Sequence, residues 1–188
     1  IDQTEVTNAA YARFCADKQR PLPERFPQDR PNYPVVNITF VDAQEFARWA
    51  QKRLPTLLEW EKAARGTDGR LYPWGNQADP ARANVNRGGN AELMPVGAYP
   101  EGESPCHALN LVGNAWEFVD QFQSPSEGAL NTFKTLLDPP PTATEPWYTI
   151  RGGSYREPLF DSVLSEWAAV PARYRNDDIG FRCAKEAR

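Results

Sequence analysis

Eighteen prolines are distributed along 188 residues, and they limit how much regular structure this chain can hold. Proline has no backbone N–H and fixes φ, so it ends helices and is confined to strand edges. Five fall between Pro21 and Pro34, leaving residues 19–36 with neither a helical nor a strand period. The expectation is short elements joined by rigid coil. Length allows this: one domain, with long appended loops at most, buries roughly 70% of the surface its unfolded chain exposes and needs no staples. Six tryptophans point to a core built partly from large rings, some with an N–H to satisfy.

The readable helices cluster early. Thr7 or Asn8 can cap a short helix carrying Tyr11, Phe14 and Cys15 on one side. Thr39 with Asp42 forms a capping box before an apolar face of Ala43, Phe46, Ala47 and Ala50, with Trp49 beside it. Thr56 with Glu59 opens a third helix that runs through Trp60 and Ala63-Ala64 to Gly66. Short strands are expected at Val35–Phe40, Trp147–Arg151 and Ile179–Ala184. In the last, Ile179, Phe181 and Cys183 face one side and Arg182 the other. Residues 121–147 read as a long, polar, proline-rich insertion loop. There is no internal repeat and no βαβ rhythm, so the fold class is α+β, in a single domain over 1–188.

Several function classes fall away. The net charge is −4, and the basic clusters Lys52-Arg53 and Arg173-x-Arg175 are too short for a nucleic-acid stripe. No apolar run is long enough to insert in a membrane. A single histidine, His107, excludes any site needing two imidazoles. Cys15, Cys106 and Cys183 are far apart in sequence and make no disulfide framework. The chain opens at Ile1 without Met, which suggests a domain trimmed or excised from a longer protein.

An ordered set of blocks carries more. Glu5-Val6-Thr7-Asn8, Arg53-Leu54-Pro55-Thr56, Glu59-Trp60-Glu61, Tyr72-Pro73-Trp74-Gly75, Ala83-Asn84-Val85 and Pro95-Val96-Gly97 come first. Gly113-Asn114-Ala115-Trp116-Glu117, Arg151-Gly152-Gly153-Ser154-Tyr155 and Gly180-Phe181-Arg182 follow. In this order they resemble the formylglycine-generating enzyme, or sulfatase-modifying factor, family from the first residues to the last few. The resemblance implies a C-type-lectin-like α+β fold rich in irregular loop. The family's usual first strand lies before Glu5, which agrees with trimming.

The same resemblance implies a copper oxidase that converts a sulfatase cysteine to formylglycine, with Cu(I) on two cysteines after the Gly-Gly-Ser-Tyr block. Counted from Ser154, those positions fall near Glu157 and Ser162. A carboxylate and a hydroxyl are hard ligands and do not replace two thiolates, so no copper and no such oxidase activity are expected. The disulfide partner position of Cys183 is Ala47, so Cys183 is expected free and buried. Phe160–Val170 lacks the arginines common in relatives and holds Asp161, Glu166 and Trp167 instead. The family's thiol–histidine sulfoxide synthases need an iron on a separate histidine-bearing domain, which this chain lacks.

Calcium is the cofactor the resemblance retains. A family calcium loop maps onto Asn110, Gly113, Ala115 and Glu117, through a side-chain amide, two main-chain carbonyls and a carboxylate. The plainer alternative is that Asn114 and Glu117 satisfy loop N–H groups. A second site would use Asn84, Val85 and Asn90, although the family's Asp is missing there. Arg151-Gly152-Gly153-Ser154 could pass for a phosphate nest, but no helix or Lys supports it and a structural role is preferred.

Ser154, Tyr155, Glu157, Phe160, Ser162, Trp167 and Tyr174 are the ligand-binding candidates, with the aromatic members lining a groove for an apolar ligand or a peptide. A satellite cluster under the long loop is the equal alternative. The function expected is a catalytically silent binding or sensory domain stabilised by calcium. Its partner is an unnamed ligand, peptide or protein, and relatives attached to bacterial protein kinases allow a covalently linked kinase or other domain. The alternatives are an enzyme with different chemistry at Glu157, Asp161 and Ser154, or a structural interaction domain. The compartment stays open, with calcium and the lectin-like scaffold weighing toward the outside of the cytoplasm.

Overall fold

A computed structural model describes residues 1–89 and 91–186, apart from the side chain of Asp161. Three helices come first: α1 Asn8–Asp17, α2 Phe40–Trp49 and α3 Leu57–Arg65. Each begins where the sequence places a cap. Thr7 accepts from Ala10 N–H, and Thr39 with Asp42 and Thr56 with Glu59 both close full capping boxes. Gly66 ends α3 with φ 66°.

The later half supplies a four-stranded sheet in the order β3-β2-β1-β4. Its strands are β1 Trp116–Phe122, β2 Trp147–Arg151, β3 Trp167–Pro171 and β4 Ile179–Gly180. β1 pairs antiparallel with β2 and parallel with β4, and β2 pairs antiparallel with β3. One face of the sheet meets α1 and α2 in a core that includes Phe14, Phe40, Phe46, Phe118, Trp147 and Phe181. A second cluster gathers Trp60, Tyr72, Leu111 and Leu164 around α3. Cys183 is free and lies in the first core with Ala47.

Three expectations are corrected, and one strand is new. Val35–Phe40 forms no strand: Pro34 makes one isolated bridge to Thr7, Asn37 takes φ 61°, and Thr39 already caps α2. The final strand is regular only at Ile179–Gly180, because the chain then pairs with separate segments, Val6 on Phe181 and Asp2 on Cys183. The alternation still holds, with Ile179, Phe181 and Cys183 in the core and Arg182 on the other side. Residues 121–147 are not all loop: β1 runs to Phe122 and α4 spans Glu127–Lys134, capped by Ser126. β3 was not expected at all. It begins at Trp167, one of the expected ligand-binding candidates.

Among the described residues no helix is long and apolar enough to cross a membrane.

Candidate functional site

The loop leading into β1 is wound by residues in left-handed backbone: Asn110 at φ 56°, Gly113 at 76° and Asn114 at 62°. Gly113 has no room for a side chain, since a Cβ there would lie 2.3 Å from the Asn84 carbonyl oxygen. That approach lets Asn114 N–H donate to the same carbonyl at 2.8 Å. Asparagine tolerates the left-handed region better than most residues. The turns aim two amides at Glu5, which enters from the segment before α1. Asn110 Nδ2 donates to Glu5 Oε2 (2.9 Å) and the Val96 carbonyl (3.0 Å), and Asn114 Nδ2 donates to Glu5 Oε1 (2.7 Å). Burial pushes the Glu5 carboxyl up to about 7, against the opposing pull of Arg182.

Glu117, on β1, is fully buried and faces Arg182. Its Oε1 accepts from Arg182 Nη2 (2.7 Å), and its Oε2 accepts from Arg182 Nε (2.7 Å) and Trp60 Nε1 (2.8 Å). Burial works against the Arg182 charge, but Glu117 outweighs it and holds the guanidinium above its usual range. The plainer alternative had Glu117 satisfying loop N–H groups; its donors are instead the Trp60 and Arg182 side chains.

The donor set also fits a calcium ion. Two acceptors fix the Nδ2 side of Asn110, and its Oδ1 is left buried without a partner. A carboxylate offers about four lone-pair sites, and Glu117 uses three, leaving one on Oε1. Hard oxygens short of donors suit calcium, which takes about six to eight of them, here with the Gly113 and Ala115 carbonyls and waters as the remainder. Among the described residues no three His, Cys, Asp or Glu side chains group as metal ligands, so main-chain oxygens would have to contribute. At the second expected site, Asn84 Nδ2 ties the Glu92 carbonyl and Asn114 Oδ1 together (both 2.9 Å), and Val85 lies in the α3 core cluster. Asn90 lies outside the described residues.

On the other side of the sheet a groove of about 650 Å³ opens between α4 and the β3 edge. Phe133 of α4, Trp167 and Val170 of β3, and Tyr174 form its apolar walls; Trp116, Glu157 and Asp178 also line it, with neutral polar residues such as Gln123, Thr132 and Asn176. Phe133 packs edge-on against both Trp147 (5.4 Å) and Tyr174 (4.7 Å), which fixes that wall. Trp167 stays 50% exposed.

Behind the wall, Ser154 Oγ lies 2.6 Å from Glu157 Oε2 and 3.0 Å from Asp178 Oδ2. One hydroxyl proton serves only one of them at a time, so the two carboxyls share a single donor there. Burial raises Asp178 above the ordinary aspartate range, opposed by its Ser154 bond and by the Arg156 charge.

The structure thus divides the ligand-binding candidates. Glu157, Trp167 and Tyr174 meet in the groove. Ser154 is buried behind it. Ser162 is also buried: its Oγ donates to the Pro158 carbonyl at 3.2 Å and abuts Gly153. Tyr155 lies on a separate polar hollow with Arg25, Arg175 and Asp177. Phe160 is 76% exposed and is not among the groove's lining residues. Sequence reasoning missed Phe133, Trp116 and Asp178. The signal for Phe133 was available: Ser126 as a cap, Glu127 in the first turn, Lys134 in the last, and apolar Ala129, Leu130 and Phe133 between.

Comparison with known proteins agrees with this architecture. A model of the sulfatase-modifying factor enzyme 1-like domain matches residues 1–187. The formylglycine-generating enzyme of Streptomyces coelicolor is 38% identical over 180 residues, 84% of this chain and 54% of that protein. The inactive C-alpha-formylglycine-generating enzyme 2 of Bos taurus is 33% identical over 178 residues, 85% of this chain and 52% of that protein. The hercynine oxygenase of Mycolicibacterium thermoresistibile is 43% identical over 103 residues, 52% of this chain and 23% of that protein. The chain spans about half the length of the first two relatives. Among solved structures, PvdO of Pseudomonas aeruginosa superimposes with a TM-score of 0.74 at 20% identity, over 95% of this chain and 77% of that one. CarF gives 0.73 at 21%, over 96% and 83%. The chain belongs to the sulfatase-modifying factor family, that of the formylglycine-generating enzymes, and has the loop-rich α+β fold of that family.

Proposed function

We propose that this domain is a binding module on the formylglycine-generating scaffold, without the copper oxidase chemistry, and that it carries a calcium ion at the loop of Asn110, Gly113, Ala115 and Glu117. The observation behind this is the chemistry at the two positions where the family resemblance puts copper thiolates. Glu157 supplies a carboxylate bonded to Ser154, and Ser162 a buried hydroxyl bonded to a carbonyl. Neither is a soft ligand for Cu(I). No cysteine is among the groove's described lining residues. The fold remains available for binding, and a relative named as inactive is consistent with scaffold outlasting activity.

The alternative of an acid–base or nucleophilic enzyme at Ser154 is disfavoured by access, since Ser154 is fully buried and its hydroxyl is held between two carboxylates. The test is turnover. Incubated aerobically with Cu(I) and a cysteine-bearing sulfatase peptide, the chain is expected to give no aldehyde product by mass spectrometry. Repeated turnover that persists in wild type and stops in E157A would replace the binding module with an enzyme.

A further inference from the structure

We propose that the groove takes a small organic cation, a protonated amine on an apolar or aromatic body, with its ammonium held by Glu157 and Asp178. This rests on the groove being a ligand site and adds the charge and size of its occupant.

Charge comes first. The charged residues among the groove's described lining are Glu157 and Asp178, and no lysine, arginine or histidine is among them. Arg156, outside the lining, pairs with Asp177 at 2.6 Å and makes a longer ion pair through Nε with Asp178 Oδ2 at 3.8 Å. Among the lining side chains an anionic ligand would meet only like charge.

Hydrogen bonding points the same way. Asp178 is 5% exposed, lines the groove, and its Oδ1 has no partner. Glu157 Oε1 has only a long contact, 3.4 Å, with Trp116 Nε1. The other oxygens of the pair converge on Ser154. At Glu157 and Asp178 the wall therefore carries acceptor oxygens short of donors. An ammonium is the complement, with three donors and no acceptor.

The remaining walls suit the body of such a ligand. Trp167 and Tyr174 present aromatic surface, which attracts cations at its faces and apolar groups throughout. A volume of about 650 Å³ matches a small-molecule site rather than a broad protein interface.

The test is calorimetric titration of the purified chain near neutral pH with 4-phenylbutylamine, 4-phenylbutan-1-ol and 4-phenylbutyrate. The amine is expected to bind at least about tenfold more tightly than the alcohol, with the carboxylate weakest. E157Q is expected to weaken the amine about fivefold or more while leaving the alcohol unchanged. Glu157 is only half-buried, so E157Q keeps the test valid if D178N fails to fold. Equal binding of amine and alcohol, both lost in W167A, overturns the cation and leaves the groove standing. Binding of a lysine-containing peptide but not the free amine overturns the small-molecule assignment. Failure of all three probes overturns the groove reading and the cation with it.

Discussion

Replacing Arg182 with methionine should be among the most damaging single changes in this domain. Arg182 is fully buried and makes five donations: two to Glu117, and one each to the carbonyls of Leu109, Asp2 and Gln3. In R182M the Glu117 carboxylate keeps only the Trp60 N–H, and three carbonyls lose this donor. Removing one member of a buried ion pair costs about 3–5 kcal/mol. The stranded carbonyls place this case toward the upper end. A domain has roughly 5–15 kcal/mol in total, so a large share of its stability goes. At about 2–4 °C per kcal/mol for a chain of this size, Tm should fall by roughly 10–20 °C.

The assay is urea unfolding followed by tryptophan fluorescence, in EDTA so that no ion contributes. The companion is E117L/R182M, which removes both charges. It should be about 2 kcal/mol more stable than R182M alone, because no unpaired carboxylate remains buried. If R182M lies within about 1 kcal/mol of wild type, or if the two changes simply add, then Arg182 and Glu117 do not form the coupled buried pair described here.

Three further outcomes follow from particular contacts. Glu59 is held down to about 2, first by Arg53 and then by its capping bonds to Thr56. A lowered carboxylate stabilises above its unfolded pKa and loses that contribution as pH falls through its folded one, so E59Q should lower Tm near neutrality and match wild type near pH 2 in parallel melts. G153A combines φ 73° with a Cβ 2.5 Å from Ser162 Oγ, and should lose about 1–3 kcal/mol in denaturant titration, of which S162A restores only part because the backbone strain remains. Calcium should raise the Tm of the EDTA-treated chain by mass action, and N110A should abolish that rise. A rise unchanged in N110A would remove the proposed ion from this loop.

The parts legible in the sequence were those governed by neighbours in the chain. Capping residues fix α1, α2 and α3 within a few positions, because Thr7, Thr39 and Thr56 satisfy N–H groups three residues on. The period of two put Arg182 opposite Phe181 and Cys183 correctly. It did not reveal that Arg182 points inward too, onto Glu117, because a buried ion pair 65 residues apart leaves no local pattern. β3 was illegible for a similar reason. Trp167–Pro171 has no strict alternation and becomes a strand only by pairing with β2.

The groove shows the same limit. Glu157, Trp167 and Tyr174 were selected from the positions around the Gly-Gly-Ser block, but Phe133 reaches the groove from a helix inside a segment read as loop. Asp178 comes from the approach to β4, and its under-bonded oxygen appears only once Ser154 and Glu157 are seen beside it. At the loop proposed to hold calcium, the family resemblance named Asn110 and Glu117. It could not supply Glu5, which fixes the Asn110 amide from more than a hundred residues away.

Competition for Cu(I) asks whether this scaffold holds a two-thiolate copper site. The chain is prepared in a C106S background, which removes the exposed thiol, and titrated anaerobically against bicinchoninate under reducing conditions. Wild-type residues at 157 and 162 should leave the copper on the chelator, while E157C/S162C should remove about one equivalent. If the chain with Glu157 and Ser162 intact strips copper as well as the double-cysteine variant does, the copper site exists elsewhere in the fold and the binding-module account is wrong.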